Sequence, residues 1–389
     1  IIATSDSQDV RVRLGQVSAL LKLDKLGDVE AAAVNLEALL EMDPDDTVAL
    51  AGMQRVCRAR GDMARLAEIQ WRRAELSYDP AEKRDLMAET ARLRVELGQR
   101  DEGIAAWKEV LALDEGDTEA QLELAAQYRV AEAWQDLIEI LGVAARYEND
   151  GSQQVALRTE IAQTYAETLG DLEQGVEAWQ AVLDLDPSNP GPLDALESLH
   201  RRRDDFLAVQ EVILRRVDLV DTDAERIAGY LRLSQVAEMD REAPEEALDF
   251  LASVLEIDVT HEQANSQSER LLKSLERWHD LVEFYQRRAE TCAISGDSAG
   301  ELQWLAQTAD VWEGNLDNPD EAGEILEKIL ARDPNSVAAM TRLAKIYEGA
   351  SDWERCGAVL QKALDLGPEG TEAADLYVRL GEVARNKDG

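Results

Sequence analysis

Apolar residues recur along this chain at i, i+3, i+4 and i+7, as in Ala32, Leu36, Leu39 and Leu40. That is the period of a helix with one buried face. Strand-like alternation and β-branched runs are absent. Prolines fall where the helical pattern breaks, at Pro44, Pro80, Pro187, Pro190, Pro244, Pro319, Pro334 and Pro368. A proline inside a helix would remove a hydrogen bond and clash with the preceding turn. The pattern therefore predicts an all-α chain from Asp9 onward, behind a polar lead-in over residues 1–8 that is apolar only at Ile1 and Ile2.

One stretch keeps returning: an apolar helix end followed by Asp, often Asp-Pro. The Asp stands at 43, 114, 186, 258 and 333, with spacings of 71, 72, 72 and 75. A second marker, a large apolar residue at a predicted helix start, falls at Met63, Trp134, Phe206, Trp278 and Trp353, with the same four spacings. Two markers in one register define a repeat of two hairpins. Ten hairpins and one last helix follow, read as a single array over 1–389 with no linker.

Packing positions repeat too. Counted back from each Asp, a small residue stands at Ala32, Gly103, Gly175, Ala247 and Ala322, and a large one at Leu36, Trp107, Trp179, Leu251 and Leu326. Small residues let helices approach, and large ones fill the gap. On the facing first helix, small residues are expected at Gly15, Ala91, Ala162, Ser234, Ala306 and Gly381. Trp71, Trp304 and Trp312 match no repeat position and stand as candidates for a binding surface.

Within this repeat, residues 337–370 resemble a tetratricopeptide repeat. Leu343, Ala344, Tyr347, Leu360, Ala363 and Pro368 fill its pattern, with Cys356 where a small Ala is usual. Residues 118–151 carry the pattern again in Leu124, Ala125, Tyr128, Leu141 and Ala144. Elsewhere it degenerates, with Arg73, Arg216 and Arg288 at a position that should be small. The resemblance implies a right-handed superhelical α-solenoid whose first helices line a concave groove. It places on that track Arg55, Arg58, Arg129, Arg201, Arg202, Arg270, Lys273 and Lys345 from one hairpin type. From the other it places Gln16, Gln163, Gln235 and Gln307, with Arg92 and Glu382. Arg offers a fork that fits carboxylates, and Gln can pair with an extended backbone. The alternative is that these cations pair with acids on adjacent helices.

Composition narrows the function. The chain has 389 residues and a net charge of −39, from 80 acidic and 41 basic residues. That disfavours nucleic acid and anionic membrane as partners. It fits a basic partner on an acidic outer face, or a salt-adapted surface. No apolar run reaches the roughly 18 residues of a membrane span. Three scattered cysteines favour a reducing compartment such as the cytoplasm. A periplasmic or surface location would need a signal ahead of Ile1, and a start at Ile1 suggests a piece of a longer protein.

Catalytic motifs are missing: there is no phosphate loop, nucleophile elbow or paired-histidine zinc helix. His279 with Glu283 is too few ligands for zinc. Asp184, Asp186, Ser188 and Asn189 lack a calcium-loop spacing and suit a helix stop. No cofactor and no metal are expected. The sequence points to a non-enzymatic scaffold holding a protein or peptide segment, acidic or C-terminal, in its groove. The alternative is a structural subunit that self-associates end to end, because the last helix carries Leu376, Leu380 and Val383 on one face.

Overall fold

The computed structural model describes residues 8–368 and 370–387; most of the expected lead-in lies outside them. The chain divides into two compact units, Ile1–Asp204 and Asp205–Gly389. The first contains α1 (Gln8–Leu21), α2 (Val29–Met42), α3 (Thr47–Arg60), α4 (Met63–Leu76), α5 (Pro80–Glu96), α6 (Arg100–Leu113), α7 (Thr118–Ala131), α8 (Trp134–Tyr147), α9 (Gly151–Gln163), α10 (Leu172–Leu185) and α11 (Pro190–Arg202). The second contains α12 (Phe206–Leu219), α13 (Asp223–Gln235), α14 (Pro244–Ile257), α15 (Glu262–Ser274), α16 (Trp278–Ser295), α17 (Ser298–Gly314), α18 (Pro319–Arg332), α19 (Val337–Gly349), α20 (Trp353–Asp365) and α21 (Gly370–Lys387). These 21 helices among the described residues are what ten hairpins and a last helix require, and no strand is found among them.

The recurring Asp does three things in four residues. It ends the helix in an extended conformation, as at Asp43 and Asp114. Its carboxylate accepts the N–H two residues on, at 2.9–3.3 Å, in all five repeats. Its carbonyl accepts the N–H three residues on, at 3.1–3.2 Å. That third residue is itself the N-cap of the next helix: Asp46, Asp117, Asn189, His261 or Ser336. Stop, turn and restart are one hydrogen-bonded device, which is why Asp persists there. Asp186 and Asn189 serve this turn, and His261 caps α15 through Nδ1.

The second marker residues are the first residues of α4, α8, α12, α16 and α20. Two residues before each, the chain turns left-handed at Gly61, Glu132, Asp204, Glu276 and Ser351. Only glycine does this without strain.

The packing positions hold. Ala32, Leu36, Trp107, Ala247, Leu251, Ala322 and Leu326 are all fully buried, and Trp179 nearly so. A Cβ at Gly103 would stand 2.7 Å from Val95 Cγ2 on α5, so glycine there sets the closeness of α5 and α6. On the first helices the buried small residues that keep one register are Ala19, Ala91, Ala162, Ser234 and Ala309. Gly15 is buried as expected, with Ala19 one turn on holding the register of the other repeats. Two differ from expectation: Gly381 is exposed, and Ala309 takes the place of Ala306. The second shift has a visible source. α16 runs 18 residues where α12 runs 14, and the link after it shortens from three residues to two. The three extra residues of the last period sit there.

The last helix does not present its apolar face. Leu376 and Val383 are 1% and 4% exposed and pack with Met340, Ala344 and Leu360. The face expected to lie open is covered by α19 and α20.

Candidate functional site

Most first-helix cations are held by carboxylates about one hairpin away in sequence. Arg55 meets Asp24 at 2.5 Å, Arg58 meets Glu89, and Arg129 grips Glu160 with two bonds of 2.7 and 2.9 Å. Arg270 meets Glu238 at 2.7 Å, and Arg92 meets Glu119. These pairs tie consecutive hairpins together, and each is largely exposed, so each contributes about 0–1 kcal/mol.

The remaining expected residues divide. Arg201 meets Glu197 on its own helix at 3.1 Å. Arg202 reaches the Ala166 carbonyl at 3.5 Å. Lys273 meets Glu269 at 2.6 Å, and Glu269 also accepts from the Tyr285 hydroxyl at 2.8 Å. Burial, with Glu269 acting against the opposing Lys273, pushes Tyr285 up to about 12. Gln16 donates to both carboxylate oxygens of Asp46, the N-cap of α3, at 2.9 and 2.8 Å. Gln163, Gln235 and Lys345 are exposed on their helices. Gln307 is half-buried. Counting from the buried small residues, Gln163 and Gln235 are in register with Arg92, Leu20 and Asp310. Gln16 and Gln307 are four and three residues off that register. Asp310 is bound by Arg342 at 2.8 Å.

A related tie joins α5 to α7. Arg84 bonds Asp117 and Glu119, and Arg92 bonds Glu119. Glu119 is held below its usual range, first by Arg92 and then by Arg84 against the cost of burial.

The structure brings two of the expected residues, Gln235 and Arg270, into one groove of about 540 Å³ between α13 and α15. Glu238, Met239, Gln263 and Gln267 share it. Gln263 and Gln267 were not foreseen, although 263, 267 and 270 form one helix face at i, i+4 and i+7. The groove combines three side-chain amides with the Arg270–Glu238 pair and a second arginine, Arg232, a lining suited to an extended backbone.

The unmatched tryptophans make contacts between helices. Trp71 Nε1 donates to Glu75 at 3.0 Å and lies under Arg94. Trp304 packs against the Tyr285 ring at 5.5 Å and lies under Arg288 at 4.7 Å, a contact that accommodates Arg288 at a small-residue position. Trp312 meets His279 edge-on at 5.6 Å. Among the described residues, no cluster of three or more His, Cys, Asp or Glu has metal-binding geometry. No described helix is long and apolar enough to cross a membrane.

Residues 316–380 match the tetratricopeptide repeat family model. No curated protein matches the chain. Among solved structures, the TPR domain of P58(IPK) is 13% identical, covers 97% of this chain and 98% of its own, and superposes with a TM-score of 0.25. Yeast Tom70 is 12% identical over 98% of this chain and 97% of its own, with a TM-score of 0.26. Cut9, or its partner, in the APC/C hetero-tetramer Cut9-Hcn1 is 11% identical over 97% and 96%, with a TM-score of 0.25. With the family match at α18–α20, the periodic hairpins and the repeated small and large packing positions, the chain is a degenerate tetratricopeptide-like array.

Proposed function

We propose that this chain is a non-enzymatic interaction scaffold, a single array that holds an extended segment of a protein partner along its first helices. The groove between α13 and α15 carries this reading, because Gln263 and Gln267 offer amides on one face of α15 beside Arg270, and α13 adds Gln235. Amides pair with a peptide backbone, and Arg270 can exchange Glu238 for a carboxylate of the partner, at its C-terminus or on a side chain. Arg58 and Arg129 offer the same exchange with Glu89 and Glu160.

The test uses charge swaps, because removing one partner would confuse binding with stability. In Arg270→Glu with Glu238→Arg, the internal pair survives while its polarity reverses. The same is done for Arg129 with Glu160. Partner capture is compared with the unaltered chain at equal thermal stability. Loss of the partner in the swapped chain supports the track; undiminished capture makes these cations structural ties alone.

A second reading, self-association through an end, is favoured by α1, where Val10, Val17 and Leu21 are 47%, 54% and 51% exposed. Mass measured by sedimentation over a wide concentration range decides it. Growth that disappears in a Val10→Ser, Val17→Ser, Leu21→Ser variant supports it, and constant monomer mass rules it out.

A further inference from the structure

A second kind of groove lies on the other helices of the hairpins, between α14 and α16 over α15. It is a cavity of about 300 Å³ lined by Leu255, Ser268, Leu272, Asp280, Glu283 and Phe284. Shifted back by 144 residues, the same six positions are Leu111, Leu124, Tyr128, Asp136, Glu139 and Ile140. They line a groove between α6 and α8.

The two grooves differ at one wall. In the first unit Lys108 of α6 enters the groove, with its ammonium 5.8 Å from the centre of the Tyr128 ring. The Tyr128 phenol, then the charges of Asp136 and Glu139, hold Lys108 protonated beyond its usual range. In the second unit the matching residue is Ala252, which brings no side chain. Ser268 also stands where the other repeats have Met53, Leu124, Leu196 and Leu343. Two large-to-small changes set this wall apart, although the two grooves are of like volume, about 300 and 310 Å³.

The charges at this wall follow a rule. The position of Lys108 and that of Asp136 are occupied by Glu37 with Arg65 in the first repeat and by Glu327 with Arg355 in the last. In the last repeat Glu327 accepts from the Tyr347 hydroxyl at 2.7 Å, and Arg355 lies over the same ring at 5.6 Å. The third repeat has Gln180 with Ala208, uncharged on both sides. The fourth alone keeps an acid, Asp280, without a complementary side chain opposite. Charged groups around the cavity are Asp249, Glu256, Asp280 and Glu283 against Arg277, Arg287 and Arg288. Arg277 holds the rim of Asp280 at 2.5 Å, and Arg288 is spent on the Trp304 ring at 4.7 Å.

We infer that the cavity between α14 and α16 is a docking site for a lysine side chain of a basic partner segment, taking in trans the place that Lys108 fills in cis. The methylenes lie on Leu255, Leu272 and Phe284, and the ammonium reaches Asp280 and Glu283, as an amphipathic side chain does. This site uses different residues from the glutamine track, α15 lending Ser268 and Leu272 here and Gln263, Gln267 and Arg270 there, and it stands whether or not that track binds.

The probe is a fluorescein-labelled twelve-residue peptide of alternating Lys and Ala, with a norleucine-for-lysine version as control, titrated by anisotropy at fixed salt. Ala252→Lys and Ala252→Gln fill the cavity with residues the array already carries at this position, so both are expected to fold; melting curves confirm it. The unaltered chain is expected to bind the lysine peptide at least about tenfold more tightly than either variant does, and than it binds the norleucine peptide. Lys108→Ala is expected to free the place of that ammonium beside Asp136 and Glu139 in the matching groove and add a second binding site. Equal binding by the unaltered chain and both filled variants would assign the attraction to the acidic surface at large and overturn the inference. Equal binding of the norleucine peptide, or no binding to the unaltered chain, would overturn it as well.

Discussion

Gln70 is wholly buried on α4, and neither its amide nitrogen nor its oxygen has a partner among the described residues. The matching residues of the other repeats are Leu141, Ile213, Tyr285 and Leu360. An unsatisfied buried amide costs roughly 1–3 kcal/mol. Gln70→Leu should therefore raise stability by about that amount, read as a higher denaturant midpoint with an unchanged slope. Its neighbour in the repeat scheme, Tyr285, predicts a pH effect. With its folded value near 12 and an unfolded value near about 10, the unfolded chain loses its proton first. Stability from this group is full below about pH 10 and falls as pH rises toward 12. Tyr285→Phe should flatten that part of the stability profile, and an unchanged slope would place the effect elsewhere.

At the scale of elements, the left-handed turn residues are a measurable weakness. Gly61 occupies the position without strain, whereas Glu276 adopts φ 54° with a side chain. Gly61→Ala should cost about 1–2 kcal/mol, and Glu276→Gly should gain up to about 1 kcal/mol. Thermal melts of the two variants moving in opposite directions would support the shared turn. The Asp stops and most of the small and large packing positions were legible in the sequence because each demands a narrow class of residue; the left-handed turns were not, since Gly, Glu, Asp and Ser all serve there. The shift that moved the small position from Ala306 to Ala309 was not. Its three extra residues lie near the end of α16, inside helical periodicity, with no proline to mark them. The exposed state of the last helix was misjudged for a related reason: a face that reads as apolar does not say which helix covers it. The partners of Arg55, Arg58, Arg129 and Arg270 were open as well. They stand 31 or 32 residues away, a recurring separation that could have revealed them.

Across the whole molecule, a charge of −39 sets acids against one another far more often than it pairs them. The ion pairs meet at 2.5–3 Å or so, well inside the Debye length of about 10 Å at 0.1 M salt, while repulsion between dispersed acids acts over longer distances. Salt should screen the repulsion more than the contacts. The melting temperature is thus expected to rise between roughly 0.05 M and 0.5 M NaCl, and a fall would mean that the ties between hairpins dominate. The central claim, that a partner segment lies along the first helices, is tested most directly by site-specific photocrosslinking. A photoreactive residue is placed in turn at Gln163, Gln235 and Lys345, and at the exposed Tyr78 and Ile294 away from that track. The account predicts one crosslinked partner species from the first three positions and none from the last two. Crosslinks of equal yield from all five positions, or only from the last two, would contradict it.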